Sequence, residues 1–375
     1  MIYLDYSANT PVDARVLEQF CAVERRCIGN ANSHHQAGSA AKAEIDAATI
    51  KIASLLGVQP AEIIYTSGAS EANNFALKGL ARLSRHAGRH IISTPLEHSS
   101  VSGTLTALQE QGYEIDLLDV KQDGTVDLEH LKDLLRPDTI CVAITLVDSE
   151  LGVVQPVQEI AAILKAYPHC HLHVDATQAV GKIPVSFEGV DTMSLTAHKF
   201  YGLNGIGLLI KRRNLALEPL IHGGESTTIY RSGTPTVALA SSLACALDLA
   251  VTDLPGRVDH VAKLNAELRA ALSTYPLVHI NSPEHAIPHV LNLSVRNVKG
   301  TVFQRELDAK GVCVSVKSAC SSDGLPSRAV FAVSRDRRNA LSSWRISLSH
   351  LTTEDEIKAF LQAFDVCYRE LTAVH

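Results

Sequence analysis

No run of apolar residues in this chain reaches the roughly 18 that a membrane-crossing helix needs, so no membrane span is expected. The opening Met1-Ile2-Tyr3-Leu4-Asp5 has neither a basic stretch nor a long apolar one. A secretory leader is therefore not expected, and the compartment expected is the cytoplasm. Positive charge is in short supply as well. Lys and Arg number 34 against 40 Asp and Glu, a formal net charge of −6, which argues against a global attraction to nucleic acid or anionic lipid. Cysteine occurs eight times, at 21, 27, 141, 170, 245, 313, 320 and 367, but never as a Cys-x-x-Cys pair. That spacing signals neither a metal site nor a disulfide framework, and most of these thiols read as small buried apolar groups. Internal repeats and low-complexity segments are missing too.

What the chain does have is core-forming material. Apolar residues make up 46% and charged residues 20% of 375 positions, more than one ordinary core holds, so two domains are expected. From residue 62 to 212, short apolar runs beginning at Ile63, His90, Ile115, Cys141, His171, Thr192 and Gly207 alternate with helical patterns such as 70–85 and 155–167. This alternation predicts an α/β fold whose seven-stranded sheet is mostly parallel and covered on both faces. Ligands bind beyond the carboxyl ends of such strands, so the polar residues closing several runs belong to one place. Farther on, a helix is predicted over 237–252, a break at Leu254-Pro255-Gly256, and a long helix over 257–274. Strands at 290–295 and 344–348 and a last helix from Thr353 predict a smaller α+β domain. The boundaries expected are 15–256 for the large domain, and 1–14 with 257–375 for the small one.

Two segments carry most of the chemistry. His173-Val174-Asp175-Ala176-Thr177-Gln178 closes one run with an acid, and Ser194-Leu195-Thr196-Ala197-His198-Lys199 closes another with His-Lys. An acid, an amide and an amine at neighbouring strand ends suit a cofactor with a pyridine nitrogen and an aldehyde, which is pyridoxal phosphate. Lys199 would condense with the aldehyde, Asp175 would pair with the protonated ring nitrogen, and Gln178 would bond the phenolic oxygen. Taken singly, Lys199 reads equally as a solvated charge and Asp175 as a helix cap. Thr66-Ser67-Gly68-Ala69-Ser70-Glu71-Ala72-Asn73-Asn74 offers a strand end, a glycine, a hydroxyl and a helix start. That order builds the nest of N–H donors a phosphate favours, to which Thr196 and His198 add donors. His98 closes the strand beginning at His90 and can lie flat on the ring.

Seven segments occur in the order seen in cysteine desulfurases. They are Tyr3-Leu4-Asp5-Tyr6-Ser7-Ala8-Asn9-Thr10-Pro11, Thr66-Ser67-Gly68-Ala69-Ser70-Glu71, Glu97-His98, His173-Val174-Asp175-Ala176-Thr177-Gln178, Ala197-His198-Lys199, Arg231-Ser232-Gly233-Thr234 and Ser318-Ala319-Cys320. The chain thus resembles, over nearly its full length, the class V aminotransferase group of fold type I pyridoxal-phosphate enzymes. The resemblance implies Lys199 as the Schiff-base lysine, Asp175 on the pyridine nitrogen, Gln178 on the ring oxygen and His98 stacked on the ring. It places Ala69, Ser70, Thr196 and His198 around the phosphate. Thr234 would reach the phosphate of the neighbouring subunit in a homodimer, and Arg345 would clamp the substrate carboxylate. Cys320 matches the nucleophile that takes sulfur from L-cysteine, leaving L-alanine, with His98 helping proton transfer at the substrate thiol. Its small polar surroundings read as a mobile loop of the longer type. That type points to sulfur handed on as persulfide to a scaffold or carrier protein, as in iron–sulfur cluster assembly, tRNA thiolation or DNA phosphorothioation, and the sequence does not name the acceptor.

Departures from the family pattern are local. Asp148-Ser149-Glu150 stands where Asn-Asn-Glu is usual, which puts Ser149 at the asparagine position near the ring oxygen; Asp148 is expected to face away. Gly223-Gly224-Glu225-Ser226-Thr227-Thr228-Ile229-Tyr230 replaces a glycine-rich stretch, Val316-Lys317 replaces Ser-Gly, and Gly29-Asn30-Ala31 replaces Gly-Asn-Pro. Two alternatives stay open. A selenocysteine lyase, or another class V lyase or transaminase, would keep the cofactor chemistry without the sulfur relay. A non-catalytic partner would bind a sulfur carrier alone.

Overall fold

The computed structural model describes residues 1–224, 226–317 and 325–373. Its strands are β1 (Ile2–Tyr3), β2 (Ile63–Thr66), β3 (His90–Ser93), β4 (Glu114–Leu117), β5 (Thr139–Thr145) and β6 (His171–Asp175). They continue with β7 (Thr192–Thr196), β8 (Gly207–Lys211), β9 (Val278–Ile280), β10 (Val290–Val295), β11 (Val312–Cys313) and β12 (Ser343–Ser347). Seven of them form one sheet in the order β2-β8-β7-β6-β5-β3-β4. Pairing is parallel throughout except at β8, which runs antiparallel to β2 and to β7. The reversal follows from chain length. The link from Thr196 to Gly207 is shorter than the roughly dozen residues a parallel crossover requires.

Every residue of β5 is buried, as expected for a strand covered on both faces. Alternate side chains enter different cores: Val142 and Ile144 meet helices Gln36–Leu56 and Val237–Thr252, while Cys141 and Ala143 meet helix Ala69–Leu83. A separate core surrounds the antiparallel sheet β12-β10-β9, where Leu291, Leu293, Trp344 and Ile346 pack on Phe303, Phe360 and Phe364. The Trp344 and Phe303 rings stack with centroids 5.1 Å apart. One sequence expectation needs correcting. Leu254-Pro255-Gly256 does not separate two helices but opens the second, Leu254–Leu272, because proline in a first helical turn forfeits no hydrogen bond.

The amino-terminal segment crosses from this second core to the large sheet. Ile2 and Tyr3 pair with Val312 and Cys313, Asp5 bridges Ser347, and the Thr10 amide bonds the His198 carbonyl at 3.0 Å. At the sheet's carboxyl edge Thr145 lies opposite Asp175, Asp175 opposite Ser194, and Thr196 opposite Gly207. Gly207 has no room for a side chain: a Cβ would fall 2.5 Å from the Leu195 carbonyl oxygen and 2.7 Å from Gly68 Cα. Gly207→Ala is therefore expected to destabilise the fold by about 1–3 kcal/mol, the usual cost of overpacking. Denaturant unfolding checks this, and an unchanged midpoint would mean the loop at Gly68 yields freely.

Candidate active site

A cavity of about 360 Å³ opens at the carboxyl edge of the sheet. Each neighbouring strand end contributes to it. Gly68, Ala69 and Ser70 follow β2, His98 follows β3, and Thr145 and Ser149 come from β5 and its loop. Asp175 and Gln178 belong to β6 and the turn beyond it, and Thr196, His198 and Lys199 to β7 and its turn. Arg345 arrives from β12, and Ser7 and Ala8 from the amino-terminal segment. The structure thus brings together the residues that the sequence pointed to, with two exceptions. Thr234 is exposed and outside the cavity, and Cys320, like Glu225, lies outside the described residues. A second hollow, of about 420 Å³ beside Lys42, Asp46 and Thr227, contains none of the predicted site residues.

The buried amide of Asn73 organises the floor. Its Nδ2 donates to Asp175 Oδ2 at 2.8 Å and to Ser100 Oγ at 2.9 Å. Its Oδ1 accepts from Ser194 Oγ at 2.5 Å and from His173 Nε2 at 3.0 Å. These partners settle the imidazole as well. Nε2 of His173 carries the proton, Nδ1 accepts from the Thr192 hydroxyl at 2.9 Å, and burial pulls the ring down to about 4, so it stays neutral. The second oxygen of Asp175 accepts the Thr177 amide at 2.9 Å, which leaves the carboxylate fixed from both sides.

Helix Ala69–Leu83 begins at Gly68 with no side-chain cap. Its first N–H groups, at Ala69, Ser70 and Glu71, have no carbonyl one turn earlier and point a partial positive charge at the cavity. Glu71 ties the loop down: it accepts the Ser67 amide at 2.7 Å and pairs with Arg231 at 3.0 Å, contacts that hold its carboxyl below the usual range against burial. His98 caps helix Ser99–Gln109 by accepting the Ser100 amide at Nδ1. Burial lowers its pKa, with Lys199 and Arg328 adding to the effect and Asp175 opposing it. With Nδ1 accepting the Ser100 amide, the ring's N–H in its neutral form is on Nε2.

Lys199 donates to the carbonyls of Ser7 at 2.8 Å and Ala8 at 2.6 Å. Two residues on, Tyr201 is held at φ 66°, a left-handed conformation that costs a side chain about 1–2 kcal/mol. Its amide bonds Thr10 Oγ1 at 2.8 Å and its hydroxyl meets Ser349 Oγ at 2.5 Å, which holds the strained turn in place. Arg345 is 2% exposed; Nη2 donates to Asp5 at 2.9 Å and Nη1 to the Ser149 carbonyl at 2.7 Å. Asp5 also accepts from Ser315 at 2.7 Å, so one carboxylate joins the arginine to the segment that follows β11.

A group of buried acids lies behind this wall. Burial raises Glu97 to about 8; it accepts the Thr145 amide at 2.8 Å and the Thr94 hydroxyl at 2.9 Å. Asp148 is not among the residues lining the cavity: its Oδ2 accepts the Leu151 and Glu150 amides, and Oδ1 has no hydrogen-bond partner among the described residues. Burial and neighbouring Glu150 push its carboxyl up to about 7. Burial raises Glu150 too, opposed by the Ser327 hydroxyl, Arg345 and Lys317.

Comparison with known proteins shows the family. The aminotransferase class-V family matches residues 2–360. The chain belongs to that family. It is 40% identical to the cysteine desulfurase IscS of Proteus mirabilis over 95% of this chain and 90% of that protein. A solved NifS-like protein superposes with a TM-score of 0.92 at 36% identity, covering 99% of each chain. SspA in complex with cysteine superposes at 0.83 and 30% identity, over 94% of this chain and 100% of that one. The class-V fold is therefore the fold type I arrangement expected from the sequence.

Sequence reasoning passed over Asn73, His173 and Asp5, though each stood within a quoted segment. A polar residue on the apolar face shared by Ala69, Ala72 and Ala76 was the available signal for Asn73. The Asp148 site yields a test whose sign is fixed. Its folded pKa of about 7 lies above the ordinary carboxylate value, so the folded state holds a proton the unfolded state has lost, and stability falls as pH rises to 7. Asp148→Asn keeps the acceptor for both amides and removes this penalty. Thermal unfolding should show the variant gaining on the parent from pH 5 to pH 8, and a pH-independent difference would contradict the assignment.

Proposed function

We propose that this chain is a pyridoxal-phosphate-dependent cysteine desulfurase that converts L-cysteine to L-alanine and leaves the sulfur as a persulfide on Cys320. The observation that carries the proposal is the convergence of Lys199, Asp175, His98 and an uncapped helix N-terminus on one cavity. The names of full-length relatives, and a similar structure holding cysteine, support the same substrate.

The cavity suits the cofactor on its own chemistry. Ala69, Ser70, Thr196 and His198 offer donors for a phosphate, and Gly68 keeps the approach open, since a Cβ there would come 3.5 Å from Thr196 Oγ1. Asp175, fixed by Asn73 and Thr177, offers an acceptor for a pyridine N–H. When bound, pyridoxal phosphate supplies an aldehyde that captures amines and a ring that draws electrons from the substrate Cα.

The chain's own residues do the rest. Lys199 would be the residue that holds the aldehyde, and its amine would move the proton at the substrate Cα. His98 exchanges a proton with the substrate sulfur through Nε2, because the Ser100 amide occupies Nδ1. Arg345 takes the substrate carboxylate while keeping its grip on Asp5 and Ser149. The substrate C–S bond breaks and an S–S bond to Cys320 forms. Cβ is reduced as the sulfur pair is oxidised, so no external oxidant or reductant enters.

A homodimer is the working unit in this proposal, with Thr234 serving the neighbouring cavity. Its exposure, and the Arg231–Glu71 pair that ties its segment to the helix start, support that role. A scaffold or carrier protein then accepts the persulfide sulfur. Cys320→Ala should retain the visible absorbance of bound pyridoxal phosphate while alanine formation from cysteine falls at least about 100-fold, as expected on losing an essential nucleophile. Lys199→Ala should lose the absorbance band. Unchanged turnover in Cys320→Ala would instead favour a lyase without the sulfur relay.

A further inference from the structure

Lys182 is a buried cation, 6% exposed, that the mechanism above leaves unused. It follows Gly181, whose φ of 74° turns the backbone where a Cβ would press on Phe200 at 3.1 Å and Ala250 at 3.3 Å. The ammonium reaches back to the cavity wall and donates to Gln178 Oε1 at 2.5 Å. The charges that act on it are Lys199 and Arg345, both cations, and together with burial they pull its pKa down to about 7. A buried ammonium among like charges is costly. Its one hydrogen-bond acceptor among the described residues is Gln178, which lines the cavity.

We propose that Lys182 is a positioning residue for Gln178, holding the amide oxygen inward so that the cavity meets an N–H donor. The role rests on the cofactor proposal above, in which Gln178 bonds the ring oxygen. A glutamine amide is nearly the same shape after a 180° flip, but the flip exchanges donor for acceptor. An ammonium donates only, so Lys182 accepts one orientation. Gln178 Nε2 gives one N–H to the Ser7 carbonyl at 2.9 Å and keeps a second for the cavity. Ser7 alone is a weak lock, because the same oxygen also accepts from Lys199 at 2.8 Å. Without Lys182, the flipped amide would turn its carbonyl toward an anionic ring oxygen, and like partial charges would repel.

The experiment is a double-mutant cycle on purified protein supplied with pyridoxal phosphate, read by cofactor retention and by the pH dependence of its visible absorbance. Lys182→Met should weaken retention about tenfold, the scale of one misplaced hydrogen bond. It should also raise the pH midpoint of the absorbance change by about one unit, the same factor of ten. Lys182→Arg, which like lysine only donates, should stay within about twofold of the parent in retention, and a tenfold loss there would overturn the proposal even if Lys182→Met failed to fold. In the Gln178→Ala background, Lys182→Met should add nothing, since its effect passes through Gln178. An undiminished effect in that background would also overturn it, as would Lys182→Met behaving like the parent. A parent protein that binds no pyridoxal phosphate would instead defeat the cofactor proposal itself.

Discussion

The register of β5, β6 and β7 is the constraint on which the site depends. Because side chains alternate along a strand, His173 and Asp175 share one face while Leu172 and Val174 enter the core on the other. Ser194 falls on the polar face between Met193 and Leu195, which are core residues. A slip of one residue would send Asp175 into the apolar layer and Val174 under Asn73. The Asn73 network therefore does two things. It satisfies a buried polar patch, and it penalises every register but the one observed.

Charge is distributed with the same economy. Lys199 and Arg345 both lie close enough to act on Lys182, and the uncapped helix start adds partial positive charge. Such a site attracts a phosphate and a carboxylate while the chain as a whole carries net negative charge. The buried acids behind the wall do not neutralise this field fully, because burial keeps protons on Glu97 and Asp148 near neutral pH. Asp5 is the counter-charge in direct contact with Arg345.

The fold was largely legible because each strand of the large sheet is an apolar, β-rich run closed by a polar residue. Strand direction was not: β8 reads like its neighbours, and only the short link from β7 reverses it. Lys199, Asp175, His98 and Gln178 could be found because parallel strands deliver their carboxyl ends to one edge. Asn73 was marked only by its polarity on an apolar helix face, and its pairing with His173, 100 positions away, has no local sign at all. Asp5 and Arg345 are 340 positions apart. Lys182 was missed for a different reason: it sits one helical turn beyond a motif that seemed complete at Gln178. Thr234 is the opposite case, a motif residue that is exposed and lies outside the cavity of its own chain.

The amino-terminal segment supplies Asp5, the Ser7 and Ala8 carbonyls and Thr10, and its own anchors lie far downstream. The Ser7 amide is held by Ser347, 340 positions later, and Ile2 pairs with Val312. On the ribosome these first residues emerge long before their partners exist. The large sheet can collapse while synthesis continues, since its strands end at Lys211. The wall facing Lys199, Gln178 and Arg345 must wait for β12. Synthesis thus separates the folding of the scaffold from the closing of the pocket, and a nascent chain that lacks β12 cannot carry the complete cavity.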